Sequence, residues 1–373
     1  MNKMNYLKLN FFALVAFAVT LSACKKDRTE RDYEKEVVTK GIYVLNEGTM
    51  GNNNSSITYY DIDKKTVVAD FYQQVNGSKL GETANDLQVY GNKMYCVVTG
   101  ISGKAQSFVD VMDVNTGKSI KRIPFNTAND GFLPRHIAFY RNKAYVSRYD
   151  GVISRIDTAS LTIDADLQLK NGNDNAAGLE GLAVANGKLY VAGSDYYLSS
   201  LSLKDKVVVI DLATFAKTKD ITVNHNPQQI AVTATGELFV NSWGNFINLG
   251  PALQKINTNT DVVTQTESAD LGTFKIVGDQ AWATQDVYSA PKITAINIAT
   301  GKLGAALITD GTAIGTPYGV SINPLDQSVA VADSKTSKAF VFGKDGKVKY
   351  SFDAGIFPKM AVFTYRTRFI SND

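Results

Sequence analysis

Between residues 41 and 363 one short unit recurs seven times, and a chain built of such units folds as an array of them and not around a single mixed core. The clearest copy spans residues 181–227. Each unit has an apolar strand opened by Pro or a small loop, a turn, and then a strand of aromatic-Val type. The latter is visible at Tyr43-Val44, Tyr95-Cys96-Val97, Tyr145-Val146, Tyr190-Val191, Phe239-Val240 and Trp282-Ala283, with a weaker copy at residues 329–332. The second half of the unit is a strand ending in Asp or Asn, a turn closed by Ser or Thr, and one more strand. Its turn pairs Asp113 with Thr116, Asp157 with Ser160, Asp211 with Thr214, Asn257 with Thr260 and Asn297 with Thr300. Asp61 opens a degenerate copy, and Lys344-Asp345-Gly346 replaces the turn in the last unit. An Asx side chain at a strand end accepts a backbone N–H two residues ahead and closes a hairpin, so these acids are structural and not catalytic.

Four short strands in about 40–50 residues match a propeller blade, whose faces are buried by its neighbours. The fold class expected is all-β, a seven-bladed β-propeller. Composition agrees: 44% hydrophobic residues, 18 Tyr and 29 Gly supply strands and turns, and the 373 residues can form one closed domain. The first aromatic-Val strand, residues 41–48, lacks a Pro-opened strand before it. The missing piece stands at the far end, where Phe357-Pro358-Lys359-Met360-Ala361-Val362-Phe363 has the pattern of Leu133-Pro134-Arg135-His136-Ile137-Ala138-Phe139. The C-terminal strand is therefore expected to complete blade one and close the ring, hiding two sheet edges.

Residues 1–23 form a different kind of segment. Lys3 and Lys8 precede an apolar run, residues 11–21, about half as long as the ~20 residues of a membrane-spanning helix, and the reading is a signal peptide. Its end, Leu21-Ser22-Ala23-Cys24, resembles a bacterial lipobox, which implies lipidation of Cys24. Residues 24–40 are charged and nearly devoid of apolar side chains before Val37, the composition of a flexible tether. The propeller is expected over residues 41–367. The start Cys24-Lys25-Lys26-Asp27 resembles exported lipoproteins of Bacteroidetes, many of which face outward from the outer membrane; a periplasm-facing lipoprotein is the alternative. Without Lys3 and Lys8 the chain has 37 basic against 36 acidic side chains. That balance gives no basic stripe for nucleic acid. Cys96, in an apolar run, reads as a buried small hydrophobe.

In a propeller the loops before each first strand and after each second strand share one face, which is the expected binding face. On it fall Asn85 and Asp86, Arg135, Arg148 with Tyr149, Tyr196 with Tyr197, Gln228, Trp243 with Phe246, Tyr288, and Tyr318. Flat rings give contact area at low entropic cost, and carboxamides both donate and accept, so this rim suits a large ligand with apolar faces and amide or hydroxyl edges. Enzyme signatures are sparse. His136 and His225 make a metal pair only if both point into the channel, no zinc spacing or phosphate loop is present, and residues 171–175 read as a surface turn.

The segments Pro227-Gln-Gln-Ile-Ala-Val, Phe239-Val240-Asn241 and Val207-Val-Val-Ile-Asp-Leu-Ala-Thr resemble the YVTN-type β-propeller repeat, which implies a fold and no activity. With the lipoprotein start, they resemble the surface lipoproteins with which Bacteroidetes capture cobalamin. That resemblance implies non-catalytic capture of cobalamin, as ligand and not cofactor, delivery to a TonB-dependent outer-membrane transporter, and membrane contact through the lipid alone. A glycan-binding lipoprotein, a protein-interaction platform and a periplasmic propeller enzyme using Glu82, Asp86 and Glu180 are the alternatives.

Overall fold

A computed structural model describes residues 33–101, 103–104, 106–125, 133–195 and 203–371. The signal peptide, Cys24, Tyr196 and Tyr197 lie outside the described residues. Seven four-stranded sheets follow one another along the chain. Their innermost strands are, for blades two to seven, Thr83–Tyr90, Pro134–Tyr140, Leu179–Ala185, Pro227–Val232, Leu271–Val277 and Pro317–Ile322. Blade one takes its inner strand from the other end of the chain, Pro358–Ser371, which lies beside Tyr33–Asn46. The expected closure is therefore present. The strand Tyr33–Asn46 begins upstream of Gly41, where Val37, Val38 and Thr39 supply β-branched residues.

The ring lies within the compact unit Thr39–Tyr365. A second unit has residues 33–38 and 366–371 as its described part; in it Arg368 Nη2 lies 2.6 Å from Glu36 Oε2.

The recurrent residues have the roles their spacing requires. Tyr43, Tyr95, Tyr145, Tyr190 and Phe239 are all buried. They pack between blades: Tyr95 and Val97 of blade two share a cluster with Ile137 and Val146 of blade three, and Tyr190 of blade four with Leu238 and Val240 of blade five. Cys96 is buried and free. At the turns, Asp113 Oδ1 accepts N–H bonds from Asn115 (3.0 Å) and Thr116 (2.9 Å), and Asp211 Oδ1 from Ala213 (3.0 Å) and Thr214 (2.8 Å). Four residues after the Asx each turn has a left-handed residue: Gly117 and Gly301, but also Lys65, Leu161, Phe215 and Asp261. The 5→1 bond that ends the turn, such as Leu161 N–H to the Asp157 carbonyl at 2.9 Å, holds non-glycine residues in that conformation.

Candidate functional site

Blades two to seven share a feature that no single repeat reveals. In each, the pairing of the first two strands shifts register at its start: between Ala84 and Asp86, Pro134 and Ile137, Leu179 and Leu182, Pro227 and Gln229, Leu271 and Phe274, Pro317 and Gly319. A bulge re-aims the residue it carries. The bulge residues are Asn85, Arg135 with His136, Glu180 with Gly181, Gln228, Gly272 with Thr273, and Tyr318, and in blade one Lys359 follows Pro358 as Arg135 follows Pro134. Together they are a ring of corresponding positions at the start of the inner strands.

On blades two to four this ring is charged and internally paired. Arg135 donates from Nη1 to Asn85 Oδ1 at 2.7 Å and from Nε to Glu180 Oε2 at 3.2 Å. Its guanidinium stands 4.7 Å from the centre of the Tyr149 ring, whose hydroxyl donates to Glu180 Oε1 at 2.7 Å. His136 lies between two carboxylates, Nδ1 3.6 Å from Asp86 Oδ2 and Nε2 3.7 Å from Glu180 Oε2. Asp86 also accepts the Ile137 N–H at 3.0 Å and a Gln88 amide N–H at 2.8 Å. On blades seven and one, Glu47 Oε2 accepts from the Tyr318 hydroxyl at 2.7 Å and lies 3.1 Å from Lys359 Nζ.

These contacts set the protonation states. Burial pushes both the Glu47 and Asp86 carboxyls up, but Lys359, the Tyr318 hydroxyl and Arg135 outweigh it at Glu47, and His136 with the Ile137 N–H outweighs it at Asp86. Both therefore stay below the usual carboxylate range. Burial lowers Arg135, yet Glu180, Tyr149 and Glu47 hold its guanidinium above its ordinary value. A carboxylate whose folded pKa is depressed adds stability above its unfolded pKa of about 4, and that stability is lost as pH falls through the folded value. Thermal melts between pH 7 and pH 2 should accordingly show the midpoint dropping below about pH 4. A level or rising midpoint there would contradict the pairing of Glu47 and Asp86.

Blades five to seven present an apolar cleft of about 700 Å³ instead. One wall is the loop after the second strand of blade five, with Trp243, Phe246, Ile247 and Leu249; Leu271, Gly272, Val287 and Tyr288 come from blade six, and Pro317 and Tyr318 from blade seven. The loop is held from within, because Asn245 Oδ1 accepts the N–H groups of Ile247 (3.1 Å), Asn248 (3.0 Å) and Leu249 (2.8 Å). Gly244, at φ +73°, is required there: a Cβ would stand 2.1 Å from the Leu249 carbonyl. Phe246 is 62% exposed and Tyr288 88% exposed, a large apolar surface to leave in water. Tyr318 joins the two halves, its ring in the cleft and its hydroxyl on Glu47.

Of the residues named from sequence, Trp243, Phe246, Tyr288 and Tyr318 meet in the cleft, and Asn85, Asp86, Arg135 and Tyr149 meet in the charged arc. Gln228 is buried on the ring, its Nε2 bonded to Asn226 Oδ1 at 2.5 Å. Arg148 joins neither group. It is buried inside blade three, donating to Asp150 Oδ1 and Ser154 Oγ, each at 2.9 Å. His225 is in the turn beneath the cleft loop, where its carbonyl accepts the Gly244 N–H at 2.9 Å. Among the described residues no three His, Cys, Asp or Glu side chains are grouped to hold a metal ion. Lys359, Glu47, Glu180 and His136 were not named as ligand contacts. The Pro-x alignment of Lys359 with Arg135 is the signal that finds the first.

Solved structures share the fold at low identity. A candidate 6-phosphogluconolactonase of Bacteroides uniformis superposes with a TM-score of 0.63 at 14% identity, covering 87% of this chain and 100% of that chain. The computationally designed Ika8 protein gives 0.56 at 11%, covering 87% and 96%. Hydrazine synthase of Kuenenia stuttgartiensis gives 0.53 at 15%, covering 68% and 74%. Such likeness shows the propeller and no activity. No curated protein matches the chain by sequence. The family described as a domain of unknown function, DUF5074, matches residues 40–364, and the chain belongs to it.

Proposed function

We propose that this propeller is a non-catalytic binding protein that captures a large amphipathic small molecule, cobalamin, on the face bearing the cleft. The observation that carries the reading is the meeting of Trp243, Phe246, Tyr288 and Tyr318 around one cleft of about 700 Å³, a volume within the range of small-molecule sites. A corrin plane offers apolar faces to such rings. The cleft loop is already held by Asn245, so binding would order little further, which favours affinity. Capture without chemistry agrees with the carboxylates of the charged arc, because Asp86, Glu180 and Glu47 are each engaged by protein donors.

In the same proposal Cys24 carries the lipid, the protein faces outward from the outer membrane, and a TonB-dependent transporter receives the ligand. The test is direct. Full-length mature protein mixed with cyanocobalamin at micromolar concentration should carry the pink chromophore through a desalting column. A colourless protein fraction together with binding to a panel of oligosaccharides would replace cobalamin with a glycan, and retention of neither would discard small-molecule capture.

A further inference from the structure

Among the described residues, four large apolar side chains stand on left-handed backbone: Leu161 at φ +54°, Phe215 at +52°, Phe246 at +59° and Phe357 at +51°. A bulky residue takes that conformation at a cost, whereas glycine and asparagine take it readily. For two of the four, packing offsets the cost. Leu161 is buried in the core between blades two and three, and Phe215 packs against the core between blades three and four with its ring 5.7 Å from that of Tyr145. Phe246 and Phe357 are instead 62% and 41% exposed, and both stand on loops of the face bearing the cleft.

The residue before the inner strand is left-handed in blades four, five and one, at Gly178, Asn226 and Phe357. Blades four and five use the two residue types that fit; blade one puts a half-exposed phenyl ring there. The ring is not needed to hold the loop. The Phe357 carbonyl accepts the Glu47 N–H at 2.9 Å, the Ile356 carbonyl accepts the Gly48 N–H at 3.1 Å, and the Gly355 N–H donates to Asn46 Oδ1 at 2.9 Å, so this side of every bond is backbone. What the ring does touch is Tyr318, at 5.6 Å between centres. Tyr318 lines the cleft, and the aromatic surface therefore runs on from the cleft through Tyr318 to Phe357.

We propose that Phe357 is a second stacking platform on this face, for a flat apolar ring that the ligand carries on an arm outside the cleft; this rests on the small-molecule reading above and adds to it a residue that selects ligands by that ring. A flat side chain gives such a ring contact area at low entropic cost. Glu47, bonded to the Phe357 carbonyl, is already paired with Lys359 at 3.1 Å, so the platform selects by shape and not by charge.

The experiment is a calorimetric titration of full-length mature protein and its variants, each beside a melting curve, with two compounds. Cyanocobalamin bears a benzimidazole ring on its nucleotide arm, and dicyanocobinamide has the corrin without that ring. Phe357→Asn and Phe357→Leu remove the flat side chain, and Asn226 and Leu161 show both residue types on left-handed backbone in this protein, so both variants should melt near wild type. Each should bind cyanocobalamin about 10-fold more weakly, the scale of one stacked ring, and dicyanocobinamide as wild type does. Phe357→Tyr, which keeps a flat ring, should match wild type for both compounds. Wild-type affinity of the Asn and Leu variants for cyanocobalamin would overturn the platform and leave cobalamin capture standing. Equal losses for the two compounds would also overturn it, since the ring would then act only through Tyr318. A wild-type protein that binds neither compound overturns the platform and the capture reading together.

Discussion

Ending the chain at Phe357 should abolish cooperative folding. The strand this removes, Pro358–Ser371, holds three blades at once. Phe363 is buried with Ile42 and Val44 of blade one and Ala330, Val341 and Phe352 of blade seven. The Ala361 N–H donates to Ser321 Oγ of blade seven at 2.9 Å, and the Leu87 N–H of blade two to the Met360 sulfur at 3.1 Å. Within blade one, the Thr364 hydroxyl donates to the Gly41 carbonyl at 3.2 Å. Deleting one large buried side chain costs about 2–5 kcal/mol, and whole domains have stabilities of only about 5–15 kcal/mol. Loss of Phe363 and its neighbours, with two sheet edges exposed, exceeds that reserve. The truncated chain should show no sharp thermal transition and should bind a hydrophobic dye that the full chain does not. A truncated protein melting within a few degrees of the full chain would refute ring closure by this strand.

How far the fold was legible depended on whether a feature repeats. The Asx turns and aromatic-Val strands recur, so each copy checked the others, and Asp113 and Asp211 make the bonds their positions imply. Closure was legible because Phe357-Pro358-Lys359 copies Leu133-Pro134-Arg135. The site is built where copies differ, and there sequence served less evenly. Arg135 and Arg148 look alike on paper. Register alone sends one to the ring, onto Asn85 and Glu180, and the other into blade three, onto Asp150 and Ser154. Tyr149 reads as a stacking surface, but its ring lies under Arg135 and its hydroxyl is given to Glu180. Gly272 matters by having no side chain, since Val287 Cγ2 and Thr284 Oγ1 lie 2.8 Å from where a Cβ would stand, and a search for chemical groups passes over it. Six bulges became visible only when strand pairing was known, since each depends on a partner strand.

The central claim, that the aromatic cleft is where ligand binds, carries the second large expected effect. Phe246 and Tyr288 are 62% and 88% exposed, so their replacement leaves the blades intact; surface substitutions of this kind usually change stability by no more than about 0.5 kcal/mol. If both rings cover the ligand, their loss should cost binding at least about 2 kcal/mol together, roughly 30-fold in Kd. Trp243 lines the same cleft, so its fluorescence should report occupancy in both proteins. The measurement is a fluorescence titration of wild type and Phe246→Ala/Tyr288→Ala with cyanocobalamin, beside their melting curves. The account predicts matching melts and an affinity at least about 30-fold weaker in the double variant. Matching melts with the same Kd in both would contradict it.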